Sequence, residues 1–233
     1  FHLGRPWLAW KAFLGWRTSW LSREVIAFTA LAGATGLALL VPVAAQVAGT
    51  ALSPAMRTLV AGGVILASLA AMGASAMVYI DTPRALWATP ATFARFLLTA
   101  VLTGVPAWLL VAGGGPGSWW PAWFLPPALL AKLALEAQPL RQRRSRDQTA
   151  LWKAARLLDG PLRGVWTARL WLGLSGAFAF PLLLLVLPAA SQTSAGHAGL
   201  LAGMFVATLA GELLERWLFF TTATPPRMPG ARA

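Results

Sequence analysis

A histidine, an arginine and a carboxylate stand near the start of this chain, in His2-Leu3-Gly4-Arg5-Pro6 and in Thr18-Ser19-Trp20-Leu21-Ser22-Arg23-Glu24. An imidazole that titrates near neutrality accepts a proton from a weakly acidic hydroxyl, and a carboxylate orients that ring or passes the proton to water. Trp7, Trp10, Trp16 and Trp20 are interleaved with these groups and supply aromatic walls. Such a set suits a lipid-soluble quinol giving up its hydroxyl protons at a membrane surface. His2 and Glu24 are the candidate catalytic pair, with Gly4, Arg5, Pro6 and Ser22 as further candidate quinol contacts. The same residues admit a plainer reading, an exposed histidine and a Ser22 N-cap before an acid in the first helical turn.

The elements that would position this set are apolar and long. Segments 24–46, 57–80, 92–112, 119–137, 167–188 and 198–222 are each about 20 residues, enough to cross about 30 Å of hydrocarbon at about 1.5 Å per residue. Hydrophobic residues make up 58% of the chain and charged ones 11%, about half the charge of a soluble domain. Threaded alternately, the six spans put every Lys and Arg except Arg57 on or near one face, together with all the carboxylates. The fold class expected is therefore all-α, a polytopic transmembrane helix bundle. It forms a single membrane-anchor domain over 1–233, with 1–23 interfacial, 24–222 spanning and 223–233 a tail.

Local patterns fit that frame. Trp7, Trp10 and Phe13–Leu14 recur at helical spacing, as in a short helix lying among headgroups. Trp87, Trp166, Trp171 and Trp217 mark one boundary and Trp108, Trp119, Trp120 and Trp123 the other, an aromatic belt. Gly63, Ala67, Ala71 and Ser75 form a small-residue stripe that lets helices approach closely. The one long connection, 138–166, carries the cluster Arg141, Arg143, Arg144 and Arg146.

Several chemistries are excluded or disfavoured. The net charge of +12 resides in loops beside apolar spans, where topology rather than nucleic acid explains it. Without cysteine the chain forms no disulfide and holds no Cys-ligated zinc or iron–sulfur cluster. His2 and His197 fall on opposite faces, separated by about 30 Å of bilayer, so they cannot share a haem iron. No metal site emerges. Away from the span ends, toward mid-membrane, the ionisable groups are Glu212 and, near the end of the fourth span, Lys132 and Glu136; Arg216, four residues after Glu212, is placed for a helix-face ion pair.

The two N-terminal motifs resemble the membrane anchor subunit of DMSO reductase-type molybdoenzymes, the DmsC family. Val78-Tyr79-Ile80-Asp81-Thr82-Pro83, Trp87-Ala88-Thr89-Pro90 and Ala210-Gly211-Glu212-Leu213-Leu214-Glu215-Arg216 follow in the family's order. The likeness covers almost the whole chain. The resemblance implies eight spans in full members, two of them before the His-Leu-Gly motif, so this chain is expected to be an N-terminally truncated copy.

The resemblance further implies a haem-free anchor in the cytoplasmic membrane of a bacterium or archaeon. It would bind and oxidise menaquinol in anaerobic respiration and pass electrons to an iron–sulfur subunit that feeds a molybdopterin catalytic subunit. The family's histidine maps onto His2 and its acidic residue onto Glu24, whereas Arg5 occupies a variable position. Familiar members turn this face to the periplasm, but the positive-inside rule turns it to the cytoplasm here. The alternatives are a small-solute transporter, with helices broken at Pro42, Pro106 or Pro181, or an anchor of the polysulfide reductase kind.

Overall fold

The structure is a computed structural model that describes residues 6–113, 119–145, 149–186 and 194–223. Among these residues all regular secondary structure is helical, joined by short turns, with no strand. Backbone groups in hydrocarbon must be satisfied within their own segment, which a helix does. Among the described residues five helices are long and apolar enough to cross a membrane: Trp20–Val47, Pro54–Ile80, Pro90–Ala112, Arg163–Val186 and Ala195–Thr221. The protein is a multi-pass membrane protein.

Two compact units are present, Phe1–Thr82 and Pro83–Ala233. In the first, a 3-10 helix over Pro6–Phe13 leads into α1 (Trp20–Val47), which packs along α2 (Pro54–Ile80) as an antiparallel hairpin. A short helix is present where the tryptophan spacing led one to be expected, wound more tightly than an α-helix. Arg23 then folds back, donating from Nε to the Trp16 carbonyl at 2.7 Å and from Nη2 to that of Arg17 at 3.0 Å. Its guanidinium lies 4.2 Å from the Trp20 ring centroid. The hairpin turn ends at Ser53, whose hydroxyl accepts from the Met56 amide before Pro54 fills the first helical position.

The second unit holds α3 (Pro90–Ala112), α4 (Leu125–Glu136), α5 (Ala150–Asp159), α6 (Arg163–Leu174), α7 (Phe180–Val186) and α8 (Ser194–Thr221). The expected span 119–137 is built in two pieces, a 3-10 helix at Trp120–Phe124 followed by the 12-residue α4. Neither piece crosses a bilayer alone. Together they run back along α3 for about 28 Å, which explains why composition reads them as one span. Proline at positions 121, 126 and 127 opens both pieces and prevents a single α-helix from forming across the join. Helices α6 and α7 are continuous through a π-helical turn, Ser175–Ala179.

The core of this unit is Leu102 and Leu109 of α3, Leu125 and Leu129 of α4, and Leu201 and Met204 of α8. Glycine makes the closest approach possible: a Cβ at Gly176 would overlap Thr208 Cγ2 on α8. Close packing through small residues therefore operates here. In the α2 stripe only the end nearest Ser75 is packed, with Ala71 buried, while Gly63 is exposed and a Cβ there would meet nothing within 4 Å. Trp87 also departs from expectation. It is a core residue, stacked on Phe219 and donating from Nε1 to the Phe219 carbonyl at 3.0 Å, because a buried indole N–H needs a partner. Trp120, Trp123 and Trp171 do face outward, as a belt requires.

Candidate functional site

Of the quinol motif, His2, Gly4 and Arg5 lie outside the described residues, and Pro6 opens the 3-10 helix. Ser22 and Glu24 sit in the first turns of α1. The N-cap is Ser19, without a side-chain bond, so Ser22 is not a cap and no acid lies in the first turn. The helix starts three residues before a Ser22 cap would place it, and the Arg23 side chain occupies the carbonyls of Trp16 and Arg17 just ahead of it. Ser22 is buried against Gly15, where a Cβ would come within 2.6 Å of its hydroxyl oxygen. Two positions along a helix do not share a face, and Glu24 accordingly meets a different neighbour. Its Oε1 accepts a hydrogen bond from the Ser75 hydroxyl of α2, 51 residues on. The half-buried Glu24 carboxylate is thereby fixed at one end of an apolar hairpin.

A second polar assembly lies inside Pro83–Ala233. Lys132 of α4, with no exposed surface, pairs with Glu212 of α8 and donates to the Thr99 hydroxyl of α3. Arg169 of α6 places Nη2 3.0 Å from Glu136 Oε1 and 2.9 Å from Glu212 Oε1. Arg95 of α3 pairs with Glu215 Oε1, and Lys132 Nζ is 3.6 Å from Glu215 Oε2. Three cations thus face three carboxylates, a balance that burial demands because an uncompensated charge in hydrocarbon is costly. Arg216 is the fourth cation, at the edge of the cluster. Its guanidinium is 3.9 Å from the Phe96 ring centroid and 3.8 Å from Glu215.

The expected Glu212–Arg216 pair is therefore not formed. Glu212 is claimed by Lys132 and Arg169 from other helices, while Arg216 turns toward Glu215 and Phe96. Arg95, Arg169 and Glu215, read from sequence as flanking charges, belong to this interior. The sequence signal for Arg95 and Arg169 is that each falls within a mostly apolar run, and for Glu215 that it belongs to the Glu212–Arg216 motif.

Pro42 and Pro106 lie inside unbroken α1 and α3. Pro181 follows the π-turn and lines an apolar groove of about 210 Å³ with Trp119, Trp123, Pro126, Phe178 and Leu182. That groove has no polar group of the kind a solute site requires. No cluster of metal-ligating side chains occurs among the described residues.

The family model for "DMSO reductase anchor subunit (DmsC)" matches residues 1–125, the whole first unit, α3 and the start of α4. The chain belongs to the DMSO reductase anchor subunit family. A relative, one of the subunits of a sulfite dehydrogenase from Allochromatium vinosum, is 29% identical over 264 aligned positions, covering 97% of this chain and 78% of that protein. No solved structure matches. As an anchor subunit the protein works within a multi-subunit oxidoreductase. The two carboxylate settings of this anchor differ in kind: Glu24 is held by one neutral hydroxyl at a helix end, whereas Glu212 is enclosed by cations.

Proposed function

We propose that this anchor subunit oxidises menaquinol at the N-terminal end of the α1–α2 hairpin. Electrons pass to an iron–sulfur partner subunit and on to a molybdopterin catalytic subunit. Oxidation of one quinol releases two electrons and two protons. His2 takes the two hydroxyl protons in turn, and Glu24 orients the imidazole or delivers each proton to water. The observation that carries this reading is the Ser75–Glu24 hydrogen bond, which pins a carboxylate at the end of two apolar helices, in the hairpin that follows the family's histidine motif along the chain. Tryptophans with exposed rings, Trp10 and Trp16, precede that hairpin and suit the wall of a quinol pocket. Family membership supports the division of labour, since this chain holds no cysteine for an iron–sulfur cluster of its own.

The test is His2→Ala in the purified complex. Quinol-driven reduction is expected to be abolished while reduction by an artificial soluble donor continues. Persistent quinol-driven turnover would show that the imidazole is not the proton acceptor.

One observation favours a second direction of flow. The relative from Allochromatium vinosum is named for dehydrogenation of sulfite, an oxidation. An anchor in such a complex would deliver electrons to a quinone, and the same imidazole–carboxylate pair would then supply protons. Reduction of a quinone by the complex with sulfite as donor distinguishes this direction from the first.

A further inference from the structure

The buried assembly of the second unit has an outlet. Where the 3-10 helix Gln138–Gln142, α5 and the end of α8 meet, a cavity of about 20 Å³ is lined by Arg95, Glu136, Pro139, Leu158, Glu215 and Thr222. That is room for about one water molecule. Two of its lining carboxylates, Glu136 and Glu215, each carry a buried Oε2 that accepts no hydrogen bond among the described residues. Their side chains are only 3% and 1% exposed, so bulk water does not satisfy those oxygens directly. Glu215 Oε2 is also the atom 3.6 Å from Lys132 Nζ. The cavity, Glu215 and Lys132 thus form a continuous line. It ends at Thr99, about 14 Å along α3 from Pro90 and deep within the span.

Of the cations here, Arg95, Arg169 and Arg216 cannot be deprotonated in a protein, whereas a lysine can. A purely structural lattice would need no such group and no opening. We propose that this line is a proton-exchange route between the charged end of the molecule and Lys132. The Lys132 ammonium gives one proton to Glu215 Oε2, and Glu215 passes it to a water in the cavity. The return path reloads the amine, so no electron transfer or co-reactant is involved. Lys132 and Glu215 are faced by Arg95 of α3 and by Glu212 and Arg216 of α8, with Arg169 of α6 and Glu136 of α4 standing behind Glu212. The route lies wholly within Pro83–Ala233 and does not depend on the quinol reading of the first unit.

Lysine labelled with carbon-13 at Cε tests it, because only Lys11, Lys132 and Lys153 are present. With the full chain in lipid nanodiscs, the deuterium isotope shift on Cε after transfer to heavy water reads exchange of the Nζ protons. Lys11→Arg and Lys153→Arg assign the Lys132 signal without disturbing the buried assembly. In the wild type Lys132 is expected to exchange, and Glu215→Gln, which removes the relaying base, slows it at least about tenfold. Leu158→Trp, filling the cavity without touching an ion pair, is expected to slow it likewise and serves if Glu215→Gln does not fold. Equal rates in the wild type and the folded variants would overturn the proposal. So would a wild-type Lys132 that never exchanges while Lys11 and Lys153 do.

Discussion

Lys132 and Glu212, eighty positions apart in sequence, face one another as a fully enclosed ion pair joining α4 to α8. Neither has water to fall back on. Removing one partner therefore exposes the other to the full cost of an uncompensated buried charge. Glu212→Gln leaves both Lys132 and Arg169 short of a carboxylate, and a loss of about 3–5 kcal/mol is expected. Thermal unfolding in nanodiscs measures it. The double variant Lys132→Met/Glu212→Leu also removes a carboxylate from Arg169, but Glu136 still pairs with that guanidinium, so most of the loss is expected to be regained. An unaltered unfolding temperature in Glu212→Gln would mean that the assembly contributes nothing to holding the helices.

The Ser75 hydroxyl has a different task. It fixes the direction of the Glu24 carboxylate, and a hydrogen bond to a charged group is worth about 1.5–3 kcal/mol. If that orientation is used in proton transfer, Ser75→Ala lowers quinol-driven turnover of the complex by roughly tenfold or more. Turnover with a soluble donor should be unchanged, and Ser75→Thr, which keeps the hydroxyl, should restore most of the loss. Equal impairment with both donors would assign Ser75 a folding role instead.

Two glycines give opposite outcomes for the same substitution. At Gly176 an added methyl would overlap Thr208 Cγ2 and lie 3.0 Å from the Thr208 backbone nitrogen, so α8 must move away from the π-helical turn. Gly176→Ala is expected to destabilise by about 1–3 kcal/mol. Gly63→Ala, with nothing within 4 Å, is expected to be neutral or stabilising by up to about 1 kcal/mol through helix propensity. Parallel unfolding experiments on the two variants check both signs.

Membrane orientation can be read with single cysteines, since the chain has none. Three of the basic residues that give the charged face its excess, Arg95, Lys132 and Arg169, are in the bundle interior and do not belong in a loop count. The loops remain strongly basic without them, through Arg141, Arg143, Arg144, Lys153, Arg156 and Arg163. The expectation is a cytoplasmic charged face. An impermeant maleimide added to intact cells should then label Arg57→Cys and spare Arg144→Cys. The reverse pattern would place the partner subunits on the outer side.

The linear order of residues was enough to determine the helical class, the multi-pass character and the family. Span length, apolar composition and short motifs are local properties, and a helix in hydrocarbon satisfies its own backbone. The segment 119–137, expected as one span, is instead two short helical pieces divided at its prolines, a break that apolar composition does not reveal. What the order of residues left undecided is which face of each helix points inward. A side chain rotates about 100° per residue around the axis, so Arg95, Arg169 and Glu215 read equally well as boundary charges until α3, α6 and α8 are packed. Arg95 meets Glu215 across 120 positions, and Arg169 meets Glu212 across 43. Only the assembled bundle brings such distant charges within ion-pair distance, because the burial that makes each charge need a partner is itself created by the packing of the other helices.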